Sequence, residues 1–312
     1  MSGHLPLTTQ RLVVVTGKGG VGKTVVTAAL ARAAIDAGRR VLAVEIGQAR
    51  LGALLDAPQP LGNDPLSLTA TLSAAAIDPE SALGDFVQSV LRLRIFARRL
   101  LESTSFQVLA AAAPGLAEFL VLHKIAAWLD ATRLGRRLYD LVIVDAPASG
   151  HSLPLLEAPR TLGALAYIGP VAETLQALDR RLLDPGETLV VIVTTPEELA
   201  VRETIELYAE LSQRLGLPVA PPIVNAVPRR RFTAAEEERL AASDVATLHH
   251  PHLEAARFEI ARRAESRAQL AVLRREIGGR FVRLPFLFDG PEAPGGVARL
   301  AAELAAAAGL PA

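Results

Sequence analysis

Gly17-Lys18-Gly19-Gly20-Val21-Gly22-Lys23-Thr24 is the stretch on which the fold turns. It fits the pattern G-x-x-x-x-G-K-[ST], and its setting supports the reading as much as its letters do. Leu12–Thr16 before it is a Val-rich strand. Val25 to Ala37 after it is Ala-rich and helical, with Gly38 as the stop. A glycine-rich turn between strand and helix lets the backbone close around phosphate oxygens, because successive N–H groups and the helix N-terminus face the anion. Gly17, Gly19, Gly20, Val21 and Gly22 supply that cradle. Lys23 then reaches the β- and γ-phosphates, and the Thr24 hydroxyl ligates Mg²⁺. The expected ligands are ATP and Mg²⁺.

Working outward, apolar runs alternate with helical patterns. Val41–Glu45, Leu141–Val144, Thr188–Val193, Ile223–Val227 and Phe281–Leu284 read as further strands. They are continuous apolar runs rather than alternating ones, the signature of a parallel sheet covered on both faces. Thr195-Pro196-Glu197-Glu198 predicts a capping box with proline at the first helical position. The fold class is α/β: a doubly wound, mostly parallel sheet of the P-loop NTPase type, as a single domain over 1–312. Two regions, about 78–137 and 229–279, show only helical patterns and predict a helical subdomain on one end of the sheet. In the second, Thr233 and Glu236 form a capping box.

Bulk composition narrows the function classes. The 33 basic and 33 acidic residues cancel, so nucleic acid is not an expected partner. There is no cysteine, which excludes disulfides and thiolate metal sites and suits a reducing cytoplasm. The opening MSGHLPLTTQ lacks a basic-then-apolar leader pattern. The longest apolar stretch, Phe106 to Leu122, is broken by Pro114 and Glu118, so no integral membrane segment is expected. His249-His250-Pro251-His252 has no acidic neighbours and reads as loop.

The segment from Lys18 to Thr24 resembles the deviant Walker A loop shared by the MinD/ParA ATPases, the nitrogenase iron protein and the ArsA/tail-anchored-protein-targeting ATPases. Asp145-Ala146-Pro147-Ala148-Ser149-Gly150-His151-Ser152-Leu153 resembles the ArsA-type switch II, D-T-A-P-T-G-H-T-L, and narrows the choice to that family. The resemblance implies a dimer that closes on ATP and couples hydrolysis to a protein client at the helical subdomain. It implies that Lys18 reaches the partner's phosphates, that Asp145 holds the metal through water, and that Pro147, Gly150 and His151 move with the γ-phosphate. It further implies that Asn225, at the end of its strand, contacts adenine, and that Pro285 and Phe286 wrap the base.

Departures from the family leave alternatives open. Its switch I aspartate has no match in Val44-Glu45-Ile46-Gly47-Gln48-Ala49-Arg50-Leu51. Glu45 lies one residue early and either positions the attacking water or is an acid held near the metal or in a structural ion pair. Thiolate arsenite sites and a zinc-holding C-x-x-C pair are absent with the cysteines, and Met1 is the only methionine, against the Met-rich client groove of targeting members. The apolar stripe of Phe86, Val90, Ile95, Phe96, Phe119, Leu120 and Trp128 is either a client surface or core. The expectation is an ArsA-like ATPase, as a homodimer or as a heterodimer with a paralogue. One alternative is a nucleotide-sensing, weakly hydrolysing subunit of such a heterodimer. Another is a MinD/ParA-like positioning ATPase, to which the nearly uncharged tail Ala298–Leu304 lends little support.

Overall fold

The computed structural model describes residues 9–47, 50–79, 115–164, 170–242, 251–279 and 281–308. In chain order these form β1 (Leu12–Thr16), α1 (Lys23–Asp36), β2 (Val41–Ile46), α2 (Leu51–Leu54), β3 (Leu66–Ser67), β4 (Leu72–Ile77), α3 (Leu116–Asp130), β5 (Thr132–Arg133), β6 (Arg136–Arg137), β7 (Leu141–Asp145), α4 (Ser149–Gly163) and α5 (Pro170–Leu183). There follow β8 (Thr188–Thr194), α6 (Glu198–Ala209) with a π-helical extension Glu210–Arg214, β9 (Ile223–Val227), α7 (Ala234–Ala242), α8 (Pro251–Ile277), β10 (Val282–Pro285) and α9 (Gly296–Ala308). Eight strands make one sheet in the order β10-β9-β8-β1-β7-β2-β4-β3, parallel except for β3. From β1 the chain winds first toward β2 and β4, then returns through β7 and crosses to β8 on β1's other side. The carboxyl end of β1 therefore opens at the topological switch point, where doubly wound sheets bind their ligands.

Both faces of the sheet are buried, as the continuous apolar runs require. Val13, Val15, Ala43, Ile143 and Val191 face α1 and α9, whereas Leu12, Val14, Leu42, Val142 and Val190 face α3, α4 and α5. Alanine, at first sight only a compositional bias, has a structural use here. Ala28, Ala29, Ala31, Ala33 and Ala34 of α1, with Ala301, Ala305 and Ala308 of α9, are buried in one cluster, and short side chains let the two helices approach closely. Leu30, Leu300 and Leu304 fill the remaining space, each contributing about 1.5–3 kcal/mol through burial.

Three expectations need correction. β4 was not anticipated, because Leu-Ser-Ala-Ala-Ala-Ile has little β-branched character; it forms because β2 offers it a parallel partner from Val41–Leu72 to Ile46–Ile77. The stretch ending at Arg137 is not wholly helical: β5 and β6 make a small hairpin around Gly135, whose φ is 75°. The capping box at Thr195 does not form, since β8 runs on to Thr194 and the helix starts only at Glu198, with no side-chain cap. For the apolar stripe, left open between client surface and core, Phe119 and Leu120 are 1% and 3% exposed and belong to the core under the sheet. Phe86, Val90, Ile95 and Phe96 lie outside the described residues. The second capping box does form, with Thr233 N–H donating to Glu236 Oε2 at 2.7 Å and Glu236 N–H donating to Thr233 Oγ1 at 3.3 Å.

Candidate nucleotide site

The site is built where β1, β2 and β7 end side by side. Parallel register sets Val15 and Glu45 on either side of Asp145, so the two acids project from the same face of the sheet as α1. Between β1 and α1 the glycines take backbone angles that L side chains avoid: φ is 141° at Gly17, 84° at Gly20 and 89° at Gly22. A Cβ on Gly17 would lie 2.1 Å from the Val193 carbonyl oxygen, and one on Gly22 would lie 2.3 Å from Asn225 Nδ2. Gly22 is the N-cap of α1, so the loop delivers its amides and Lys23 to the helix's positive end. Lys23 Nζ donates to the Lys18 carbonyl oxygen at 3.2 Å. Burial lowers its pKa, and the nearby Asp145 charge partly restores it.

Asp145 is the electrostatic centre. Thr24 Oγ1 donates to its Oδ2 at 2.6 Å, while its Oδ1 is buried with no hydrogen-bond partner. Burial pushes the carboxyl up to about 6; the Thr24 hydrogen bond and Lys23 pull it down, the Glu45 charge pushes it up again, and the nearby Thr27 hydroxyl lowers it slightly. A hydroxyl and a carboxylate in contact, one oxygen left orphaned, form the kind of hard oxygen set that suits Mg²⁺ bound through one or two protein groups. The residues fit Mg²⁺ and a triphosphate.

Glu45 is 1% exposed, and its two oxygens are engaged by backbone. Arg50 N–H donates at 2.9 Å to Oε1, and Leu51 N–H donates at 2.6 Å to Oε2. The carboxylate thus holds the turn that starts α2. Burial raises its pKa, and the two amides offset part of the rise. This geometry favours the structural alternative over water positioning. Glu45→Gln is expected to lose about 1–3 kcal/mol in denaturant unfolding, because an amide NH₂ would face one of those N–H groups. Unchanged stability with lost ATP turnover would instead assign Glu45 to the chemistry.

Lys18 forms an ion pair with Glu203 on α6, and the two side chains are 27% and 34% exposed. Glu203 had no signal in the sequence, since the pairing joins residues 185 positions apart. Pro147 lies in the turn after β7, and Gly150 and His151 lie in the first turn of α4. That turn adjoins the phosphate loop, where a Cβ on Gly19 would come 3.9 Å from the Ala148 Cβ. A second unanticipated contact ties the same helix to β1, as Thr16 Oγ1 donates to Ser152 Oγ at 2.7 Å. Asn225 reaches the loop as well, its Nδ2 donating to the Val21 carbonyl oxygen at 3.0 Å. Pro285 ends β10, and Phe286 N–H donates to Val227 O at 3.0 Å. The Phe286 ring lies 4.4 Å from the Arg262 guanidinium and edge-on to Phe288. β9, which carries Asn225, and β10, which Phe286 follows, are adjacent parallel strands, with Pro285 opposite Val227. Among the described residues no cluster of His, Cys, Asp and Glu has a metal-binding arrangement of three or more, and no helix is long and apolar enough to cross a membrane.

A doubly wound parallel sheet with a glycine-rich phosphate loop at its switch point and an acid on the neighbouring strand defines a P-loop nucleotide-binding protein. Residues 10–168 match the profile of the anion-transporting ATPase family, and the chain belongs to this ArsA family. It is 35% identical over 224 residues to the ATPase BagA of Mycobacterium tuberculosis, covering 69% of this chain and 64% of that protein. It is 29% identical over 243 residues to an arsenical pump-driving ATPase of Escherichia coli, covering 72% of this chain and 40% of that protein. The match thus spans less than two thirds of the length of these relatives.

Proposed function

We propose that this chain binds Mg-ATP at the loop Gly17–Thr24 and hydrolyses it as a dimer, with the nucleotide state coupled to a protein client at its helical region. The observation that carries this reading is the orphaned, buried Asp145 Oδ1 beside Thr24 and Lys23. Thr24 and Asp145 would hold Mg²⁺, which when bound neutralises charge developing on the phosphates. Lys23 binds and orients the β- and γ-phosphates, and the loop amides of Gly19 to Gly22 receive the remaining oxygens. Asn225 and Phe286 frame the base. Gly150 and His151, at the start of α4, supply the hinge that follows the γ-phosphate. With no cysteine in the chain, a thiolate site for an arsenical is not part of the proposal.

Steady-state hydrolysis in Mg²⁺ tests the reading. Wild type turns over ATP, and Lys23→Ala loses about a hundredfold or more. A wild type that binds ATP without turnover would move the chain to a second reading, favoured by the engagement of Glu45 in the α2 turn: a nucleotide-sensing subunit paired with an active paralogue.

Lys18 belongs to the deviant Walker A signature and in the dimer would leave Glu203 for the partner's phosphates. Lys18→Ala is expected to bind ATP within about threefold of wild type, which is less than ~1 kcal/mol. It should nonetheless fail to dimerise on ATP in sedimentation. Assembly as in wild type would remove Lys18 from the interface.

A further inference from the structure

A cavity of about 260 Å³ lies away from the phosphate loop, between α8 and the edge of the sheet at β9 and β10. Arg230, Arg263, Arg267 and Arg283 line it, with Val227 and Ser266. Four arginines thus line one opening in a chain of zero net charge. The carboxylate facing them is Glu237, which pairs with Arg263 at 2.8 Å and lies 3.8 Å from Arg230. Among the described residues Arg267 and Arg283 have no carboxylate partner; Arg283 instead rests on the Phe281 ring. Ser266 lines this cavity and is 4% exposed, and its hydroxyl is buried with no hydrogen-bond partner. A buried serine on a helix ordinarily bonds a carbonyl four residues back, as Thr204 does to Ala200. The hydroxyl and the surplus of three positive charges, four arginines against one carboxylate, share one unmet need, an anion with several acceptor oxygens.

We propose that this cavity is a second anion site that takes a small phosphoryl-bearing ligand, separate from the nucleotide's own phosphates. Planar guanidinium forks match phosphate oxygens two at a time, and the Ser266 hydroxyl donates a further bond. The volume falls just below the range of ordinary ligand pockets, which suits a phosphate or pyrophosphate group rather than a whole nucleotide. The site is on the face of the sheet opposite α1, since Val224, Leu270, Leu273 and Phe281 form the cluster beneath α8. It nonetheless touches the base-framing loop, because Val227 both lines the cavity and accepts the Phe286 N–H. An occupant would therefore brace the strand end that carries Asn225.

Calorimetric titration of the full chain with inorganic pyrophosphate at fixed ionic strength tests the proposal, using wild type, Lys23→Ala and Arg267→Gln/Arg283→Gln. Both arginines are solvent-exposed, so the double variant should fold, and circular dichroism checks that it does. The expected result is a pyrophosphate site that Lys23→Ala leaves untouched and that weakens about tenfold or more in the double variant. Pyrophosphate binding abolished by Lys23→Ala, or unchanged in the double variant, would overturn the site. Citrate bound as tightly as pyrophosphate would overturn its phosphoryl chemistry. Should the double variant misfold, Ser266→Ala is the second probe: a several-fold loss of pyrophosphate affinity supports the site, and wild-type affinity refutes it.

Discussion

Gly17→Ala is expected to lose about 3 kcal/mol or more of stability and to abolish nucleotide binding with it. Two penalties coincide at this residue. Its φ of 141° lies outside the range of an alanine, and the added Cβ would sit 2.1 Å from the Val193 carbonyl oxygen. That oxygen belongs to β8, whose register with β1 runs from Leu12–Thr188 to Thr16–Ile192 and leaves it no room to retreat. Gly20→Ala separates the two penalties. Its φ is 84°, but nothing lies within 4 Å of the new carbon, so about 1–2 kcal/mol of backbone strain is the whole expected cost. Urea unfolding of both variants measures the difference. Equal losses would show that the close approach of β8 is not what selects glycine at Gly17.

Asp145→Asn should change stability and ligand response in opposite directions. In the native protein the carboxyl is held at about 6, above its ordinary value of 3.8, with burial the largest cause. The folded state therefore binds its proton more tightly than the unfolded state does. Its destabilisation is absent below the unfolded pKa, grows between about 4 and 6, and is fully present above that window. An asparagine cannot ionise and keeps an oxygen for the Thr24 hydroxyl. In chelator, without metal or nucleotide, the variant is expected to gain about 1–3 kcal/mol at pH 7.5 and nothing near pH 3.5. With Mg-ATP present, wild type should rise in thermal stability and the variant should respond little, having lost the charge that would hold the metal. Thermal unfolding across pH, with and without Mg-ATP, tests both halves. A variant less stable than wild type at pH 7.5 in chelator would mean that Asp145 stabilises the fold as an ion.

How much of this was legible in the sequence depended on whether the cause was local. β1, β7, β8 and β9 are runs of Val, Ile and Leu long enough to identify themselves, and their observed ends fall within a residue of the reading. The loop Gly17–Thr24 was legible because eight consecutive residues carry the geometry. β4 was not, because its pairing with β2 rather than its own composition makes it a strand. Glu203 was invisible for the same reason: it matters to Lys18 only once β8 has set α6 beside the phosphate loop. Glu45 was found as a residue, but its surroundings were not, since nothing in Val44–Leu51 states that the chain folds back to place two amides on its carboxylate. The arginine cavity likewise gathers residues from β9, α8 and β10 that no spacing rule connects.

The two outer strands of the sheet bear on how copies of this chain can associate. β3 is only two residues long and runs against its neighbour. β10 carries Arg283 outward and closes on Pro285, which has no N–H to offer. Short length, charge and proline are the features that stop one sheet's border from templating another. Strand-by-strand polymerisation is thereby discouraged at both borders. Any association between copies would then run through side-chain surfaces and loops, where it can be made and broken without unravelling the sheet.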